Sequence, residues 1–77
     1  MVTAFVLINV EDSKVTDLIE TLRDIEGVKE VHLVAGEYDM VAVVKADNND
    51  DLSQMLTDKI IHTPGIKRTK TLISLRS

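Results

Sequence analysis

The stretch VHLVAGEYDMVAVVKA, residues 31–46, sets two apolar segments on either side of a glycine, an aromatic hydroxyl and two carboxylates. From Val28 to Ala35 the chain alternates, with Val31, Leu33 and Ala35 opposite Glu30, His32 and Val34, the pattern of a strand with one drier face. Met40, Val41, Ala42, Val43 and Val44 then run unbroken, which at this length predicts a strand covered on both faces. The link from Gly36 to Asp39 is too short for a crossover, so the two strands pair as an antiparallel hairpin.

Working outward from the hairpin, Gly27 stands where a helix C′ glycine or a tight turn is expected. Before it, Val15, Leu18, Ile19 and Leu22 fall at i, i+3, i+4 and i+7, an apolar helix stripe that Asp12 or Ser13 can cap. Val2 to Asn9 holds Ala4, Phe5, Val6, Leu7 and Ile8 in succession and predicts a first strand with both faces covered. Beyond the hairpin, the cluster DNNDD at 47–51 offers capping oxygens and negative charge to a helix N-terminus. Leu52, Met55, Leu56 and Ile60 form that helix's buried stripe, and Thr63, Pro64 and Gly65 end it. Ile66 to Leu75 is a last strand, with Thr69, Thr71, Ile73 and Leu75 on one side and Arg68, Lys70, Leu72 and Ser74 on the other.

The element order is therefore βαββαβ. GVKEVHL beginning at Gly27 lies over GIKRTKT beginning at Gly65, an internal repeat with an offset of 38 residues. Two right-handed strand–helix–strand units side by side give an α+β, ferredoxin-like two-layer sandwich with a four-stranded antiparallel sheet. Its first and third strands lie in the middle. A chain of 77 residues has room for one such domain, residues 1–77, and no second core.

Apolar residues make up 44% of the chain, with only three glycines and one proline, a globular composition. The absence of cysteine excludes disulfides, iron–sulfur clusters, thiolate zinc sites and thiol nucleophiles. A formal net charge of -4 repels a duplex phosphate backbone, so no direct nucleic-acid partner is expected despite Lys67, Arg68, Lys70 and Arg76 near the last strand. Phe5 and Tyr38 are the only aromatics, too few for a base-stacking sheet. The opening residues lack a basic leader and a cleavage site, and no apolar run is long enough to span a bilayer; a cytoplasmic protein without a membrane partner is expected. His32 and His62 have no ligand spacing around them, Asp47, Asp50 and Asp51 lack the glycine and glutamate of a calcium loop, and no serine sits in a glycine-flanked elbow. These features predict no metal, no cofactor and no enzyme. A small ferredoxin-like enzyme would need Tyr38 or His32 inside a cavity of its own subunit.

Both helices of this fold cover one face of the sheet, and nothing in the chain covers the other. A monomer should then alternate cleanly in its central strands. The first strand instead offers Ala4, Val6 and Ile8 on one side and Phe5 and Leu7 on the other, and the third offers Met40, Ala42 and Val44 against Val41 and Val43. Whichever parity meets the helices, the opposite one is apolar too. A second copy of the chain is the simplest cover, so a homo-oligomer is expected.

The remaining chemistry lies in AGEYD and in the threonines of RTKT. Gly36 can take a positive φ or let a ligand approach the main chain, and exposed loop amides suit a carboxylate. Asp39 can accept from an ammonium, and Tyr38 offers a flat wall with a hydroxyl. Together these suit an amino acid; a plain hairpin turn with solvated charges accounts for the same residues equally well.

The segments VTAFVLINV, IEGVKEVHLVAGEYDMVAVVKA and HTPGIKRTKTLISL resemble the effector-binding, oligomerising domain of the Lrp/AsnC family, the feast/famine transcription regulators, also called the RAM domain. The resemblance covers essentially the whole chain. It implies a dimer packed sheet against sheet, assembly of dimers into a higher oligomer such as an octamer, and an amino-acid effector held between dimers near the hairpin loop. On that resemblance Ala35, Gly36, Tyr38 and Asp39 contribute loop contacts and main-chain amides, and Thr69 and Thr71 line the same interface. Family regulators carry an N-terminal helix-turn-helix, whereas this sequence begins at the first strand, which on the resemblance implies either a stand-alone effector-binding module or a piece trimmed to one; as a stand-alone protein it would sense an amino acid or mix with full-length Lrp/AsnC regulators. A purely structural oligomerisation module is the alternative.

Overall fold

The computed structural model describes residues 1–11 and 15–76. Its elements are β1 (Val2–Val10), α1 (Val15–Arg23), β2 (Val28–Leu33), β3 (Met40–Ala46), α2 (Asn49–Met55), which runs on into a π-helical turn (Leu56–Ile60), and β4 (Ile66–Ile73). The strands form one antiparallel sheet in the order β2-β3-β1-β4. This is the ferredoxin-like βαββαβ sandwich expected from the periodicities, with β1 and β3 central. The cap assigned to Asp12 or Ser13 lies outside the described residues.

Alternation along the central strands decides which residues the helices seal. Ala4, Val6 and Ile8 of β1 and Met40, Ala42 and Val44 of β3 have no exposed surface. Leu18 and Leu22 of α1, Leu52 of α2 and Ile60 of the π-helical turn complete that core. Within the acidic cluster it is Asn48 that caps α2, its side chain accepting from the Asp51 N–H at 2.8 Å. The helix ends less regularly than its stripe suggests. Ile61 N–H donates to the Leu56 carbonyl at 3.0 Å, five residues back, and the Thr63 hydroxyl donates to the Lys59 carbonyl at 2.7 Å. That second bond satisfies the one buried polar side chain among the described residues.

Two strands are shorter than their sequence patterns. β2 ends at Leu33, and one further bond in the same register, Val34 N–H to the Asp39 carbonyl at 2.9 Å, closes the hairpin, so Val34 and Ala35 belong to the connection. Its dry face reduces to Val31, since Leu33 shares that side but is 57% exposed on an edge strand. β4 stops at Ile73, and Leu75 projects into solvent. Two irregularities interrupt the ladders. Lys29 is an extra residue between the pairs Val28–Val44 and Glu30–Val43, and Lys67 is extra between Asn9–Arg68 and Val10–Ile66.

Candidate functional site

The connection between β2 and β3, residues 34–39, is held against the end of β1 by three bonds. Asp39 N–H donates to the Ile8 carbonyl at 2.9 Å, and the Asp39 carboxylate accepts the Val10 N–H through Oδ2 at 2.9 Å. Asn9 Nδ2 donates to the Glu37 carbonyl at 2.9 Å. Consecutive β1 residues thus fix the loop by backbone, side chain and backbone in turn. Gly36 sits at φ +136°, a conformation that side chains strain against, and no other part of the chain lies within 4 Å of where its Cβ would stand. The N–H groups of Ala35, Gly36, Glu37 and Tyr38 find no acceptor among the described residues. The other carboxylate oxygen of Asp39 likewise has no partner among the described residues.

A cleft of about 430 Å³ opens at the same end of the sheet, lined by Asn9, Val10, Asp39, Lys67 and Arg68. The bulge at Lys67 falls at this end of β4, and Lys67 and Arg68 line the cleft together with Asp39. Arg68 Nε donates to Asn9 Oδ1 at 3.1 Å. A larger hollow of about 500 Å³ lies at the opposite end of the strands, with Lys29, Lys45 and Lys59 interleaved among Asp47, Asp51 and Asp58. Size favours the second hollow, but its charges are of both signs and no glycine loop with unpaired amides adjoins it. The smaller cleft is the one that adjoins a pinned glycine loop with unoccupied donors.

The structure distributes the expected site residues in two groups. Ala35, Gly36, Tyr38 and Asp39 lie together in the loop, Tyr38 half-buried and the other three exposed. Thr69 pairs with Ile8 and Thr71 with Val6, so β1 stands between the threonines and the hairpin, roughly 10 Å across two strand spacings. Their side of β4 is also the helix side. Within one chain the two groups do not meet. Asn9 was missed altogether by sequence reasoning, and Lys67 and Arg68 were weighed only as a weak basic cluster. The one available signal was Asn9 itself, a polar side chain closing an otherwise apolar run.

On the face away from the helices, Phe5, Leu7, Val41 and Val43 form a continuous apolar centre, extended by Leu72 opposite Phe5. Phe5 is 40% and Leu72 46% exposed. Lys70, Asn9 and Arg68 border it on β4 and β1, and Glu30 and His32 on β2, the latter two joined at 2.9 Å. His32 is therefore an exposed rim residue. Neither it nor Tyr38 lines either of these two hollows. The surface of 5242 Å² exceeds the roughly 4,700 Å² expected for a folded monomer of this mass. The uncovered sheet face and the exposed ends at Met1 and Leu75 both contribute to this surface.

Residues 3–77 match the family model described as the Lrp/AsnC ligand binding domain. The chain belongs to this family. Among its curated relatives, an uncharacterised HTH-type transcriptional regulator of Pyrococcus horikoshii is 40% identical over 75 residues, covering 94% of this chain and 50% of that protein. The chain spans about half the length of the curated relatives it matches first. Among solved structures, FFRP-DM1 superposes with a TM-score of 0.93 at 40% identity, covering 97% of this chain and 100% of that one. The feast or famine regulatory protein of M. tuberculosis complexed with L-methionine superposes with a TM-score of 0.84 at 32% identity, over 100% of this chain and 52% of that chain. Membership of a ligand-binding family sets this Lrp/AsnC domain among non-catalytic modules associated with transcription regulation.

Proposed function

We propose that this Lrp/AsnC domain binds a free amino acid at the boundary formed when copies of the chain associate, and that binding biases the assembly. The observation that carries the reading is the loop 34–39. It combines a glycine with open space around it, four consecutive N–H groups without an acceptor among the described residues and one carboxylate oxygen left over after Asp39 has bonded Val10. Amides suit the effector's carboxylate and Asp39 its ammonium. Tyr38 supplies a wall, and Ala35 and Gly36 supply close backbone approach. Because β1 separates this loop from Thr69 and Thr71, the threonines enter the site from a neighbouring copy.

The apolar sheet face supports dimer formation, and a two-fold pair of sheets is the arrangement that needs only one self-complementary surface. Association of dimers into a larger ring, such as an octamer, then creates the second kind of boundary where the loops meet. The same sheet face is open to a longer family member, so mixing with full-length Lrp/AsnC regulators is part of the proposal. Coupling follows from linkage, since a ligand that contacts two subunits stabilises whichever assembly completes its site.

A thermal-shift screen of the twenty amino acids, followed by calorimetry and sedimentation with the hits, tests the reading. Asp39→Asn keeps an acceptor for the Val10 N–H while removing the charge, so affinity for a hit should fall about 10- to 100-fold, the weight of one charge-assisted hydrogen bond. An unchanged isotherm rejects Asp39 as the ammonium partner. No hit at all, with association intact, favours a purely structural oligomerisation module.

A further inference from the structure

The loop does not rest on β1 through backbone bonds alone. Asn9 occupies the parity of Phe5 and Leu7, so its side chain belongs to the bare sheet face, and it pairs in register with Arg68 of β4 on that same face. Its amide is used at both ends. Nδ2 donates to the Glu37 carbonyl at 2.9 Å, while Oδ1 accepts from Arg68 Nε at 3.1 Å. Each contact enforces the other, because a guanidinium can only donate and a carbonyl can only accept, so only one orientation of the amide satisfies both. The residues are distant in sequence, Asn9 lying 28 positions from Glu37 and 59 from Arg68.

From this arrangement we infer that Asn9 is the positioning residue of the hairpin loop, and that the Arg68–Asn9–Glu37 relay transmits packing of the sheet face to the loop's geometry. Arg68 and Asn9 border the apolar centre formed by Phe5, Leu7 and Leu72. When another sheet covers that centre, water is excluded from both hydrogen bonds and the side chain of Arg68 loses its freedom to swing away. The amide of Asn9 is then locked, and with it the Glu37 carbonyl in the middle of the loop. In a separated chain the same bonds are solvated, compete with water and release the loop more often. Asp39 supplies a second, local anchor on Val10, so the relay adjusts a loop that is already closed rather than folding it.

The inference rests on the reading of residues 34–39 as the effector loop, and it gives that loop a regulator on the sheet face. The direction of coupling is fixed by chemistry. Association orders the donors at Ala35 to Tyr38, and a ligand that orders them strengthens association to the same factor.

Amide hydrogen exchange on the full 77-residue chain tests the relay without any ligand. In the wild type, exchange at the two hydrogen-bonded loop amides, Val34 on the Asp39 carbonyl and Asp39 on the Ile8 carbonyl, should slow about tenfold as the concentration rises through the association midpoint measured by sedimentation. Asn9→Asp retains an acceptor for Arg68 but loses the donor to Glu37, and Arg68→Met removes the other end. In both, the concentration dependence at the loop should vanish while association persists and the amides of Val6 and Ala42 keep their wild-type protection. A dependence that survives in Asn9→Asp overturns the relay, as does its absence from the wild type, or a loss of protection that spreads equally to Val6 and Ala42. Calorimetry with L-methionine and the other amino acids forms a separate arm. Failure of every amino acid to bind the wild type refutes the effector reading while the exchange result still decides whether Asn9 positions the loop.

Discussion

The two faces of the central strands are built from nearly the same kinds of side chain and have opposite fates. Ala4, Val6, Ile8, Met40, Ala42 and Val44 are sealed beneath two helices, whereas Phe5, Leu7, Val41 and Val43 lie on the side that this chain leaves uncovered. Hydrophobicity therefore does not distinguish a core from an interface here. What distinguishes them is which parity the crossovers place beneath the helices, and the right-handedness of the strand–helix–strand units decides that. The sealed face holds the chain together; the bare face is where the proposed second copy would pack.

The sharpest break in this comparison is a change on the sealed side. Ile8→Ala should cost about 2–5 kcal/mol of stability, the range for truncating a fully buried aliphatic side chain. That is a large share of the ~5–15 kcal/mol typical of small domains, and urea unfolding at fixed protein concentration reads it. Its counterpart on the bare side is Phe5→Asp. Each Phe5 buried between sheets is worth roughly 1.5–3 kcal/mol, and a two-fold interface contains two, so the dissociation constant should rise 100-fold or more in sedimentation. The far-ultraviolet dichroism of the separated chain should be unchanged. If Phe5→Asp unfolds the chain, or leaves association untouched, the assignment of the bare face to self-association is wrong.

A smaller effect sharpens the same contrast. Gly27 sits at φ +99°, and a Cβ there would stand 2.3 Å from Met55 Cε and 3.0 Å from the Lys45 carbonyl oxygen. Met55 is flexible and can move, but the backbone conformation cannot suit a side chain, so Gly27→Ala should lower stability by about 1–2 kcal/mol. The loss falls on the helix side, and association measured per folded chain should stay the same. Gly36 offers the complementary case, with the same conformational demand and open space around it.

How much of this was legible in advance differs between fold and site. Val15, Leu18, Ile19 and Leu22 at helical spacing, the unbroken runs in β1 and β3 and the glycines at 27, 36 and 65 carry local instructions, so element order and sheet order follow from them. The ends of β2 and β4 were overrun, because alternation continues past the last ladder bond and only the partner strand says where pairing stops. The π-helical turn at Leu56–Ile60 left no trace in a stripe that fits either helix. The loop itself was recognisable from AGEYD, yet its support was not.

The sequence alone determined that both sides of the central strands would be apolar, that a glycine loop would join β2 to β3, and that the domain would be a βαββαβ sandwich. These are periodic or short-range properties, repeated along neighbouring residues. Only the tertiary structure decided that Asn9 would hold Glu37 and Arg68, that Lys67 and Arg68 would line one cleft with Asp39, and that β1 would separate the loop from Thr69 and Thr71. The physical reason is that each of those contacts is a single bond or register between distant residues, and a register has no repeat to read until the strands are laid side by side.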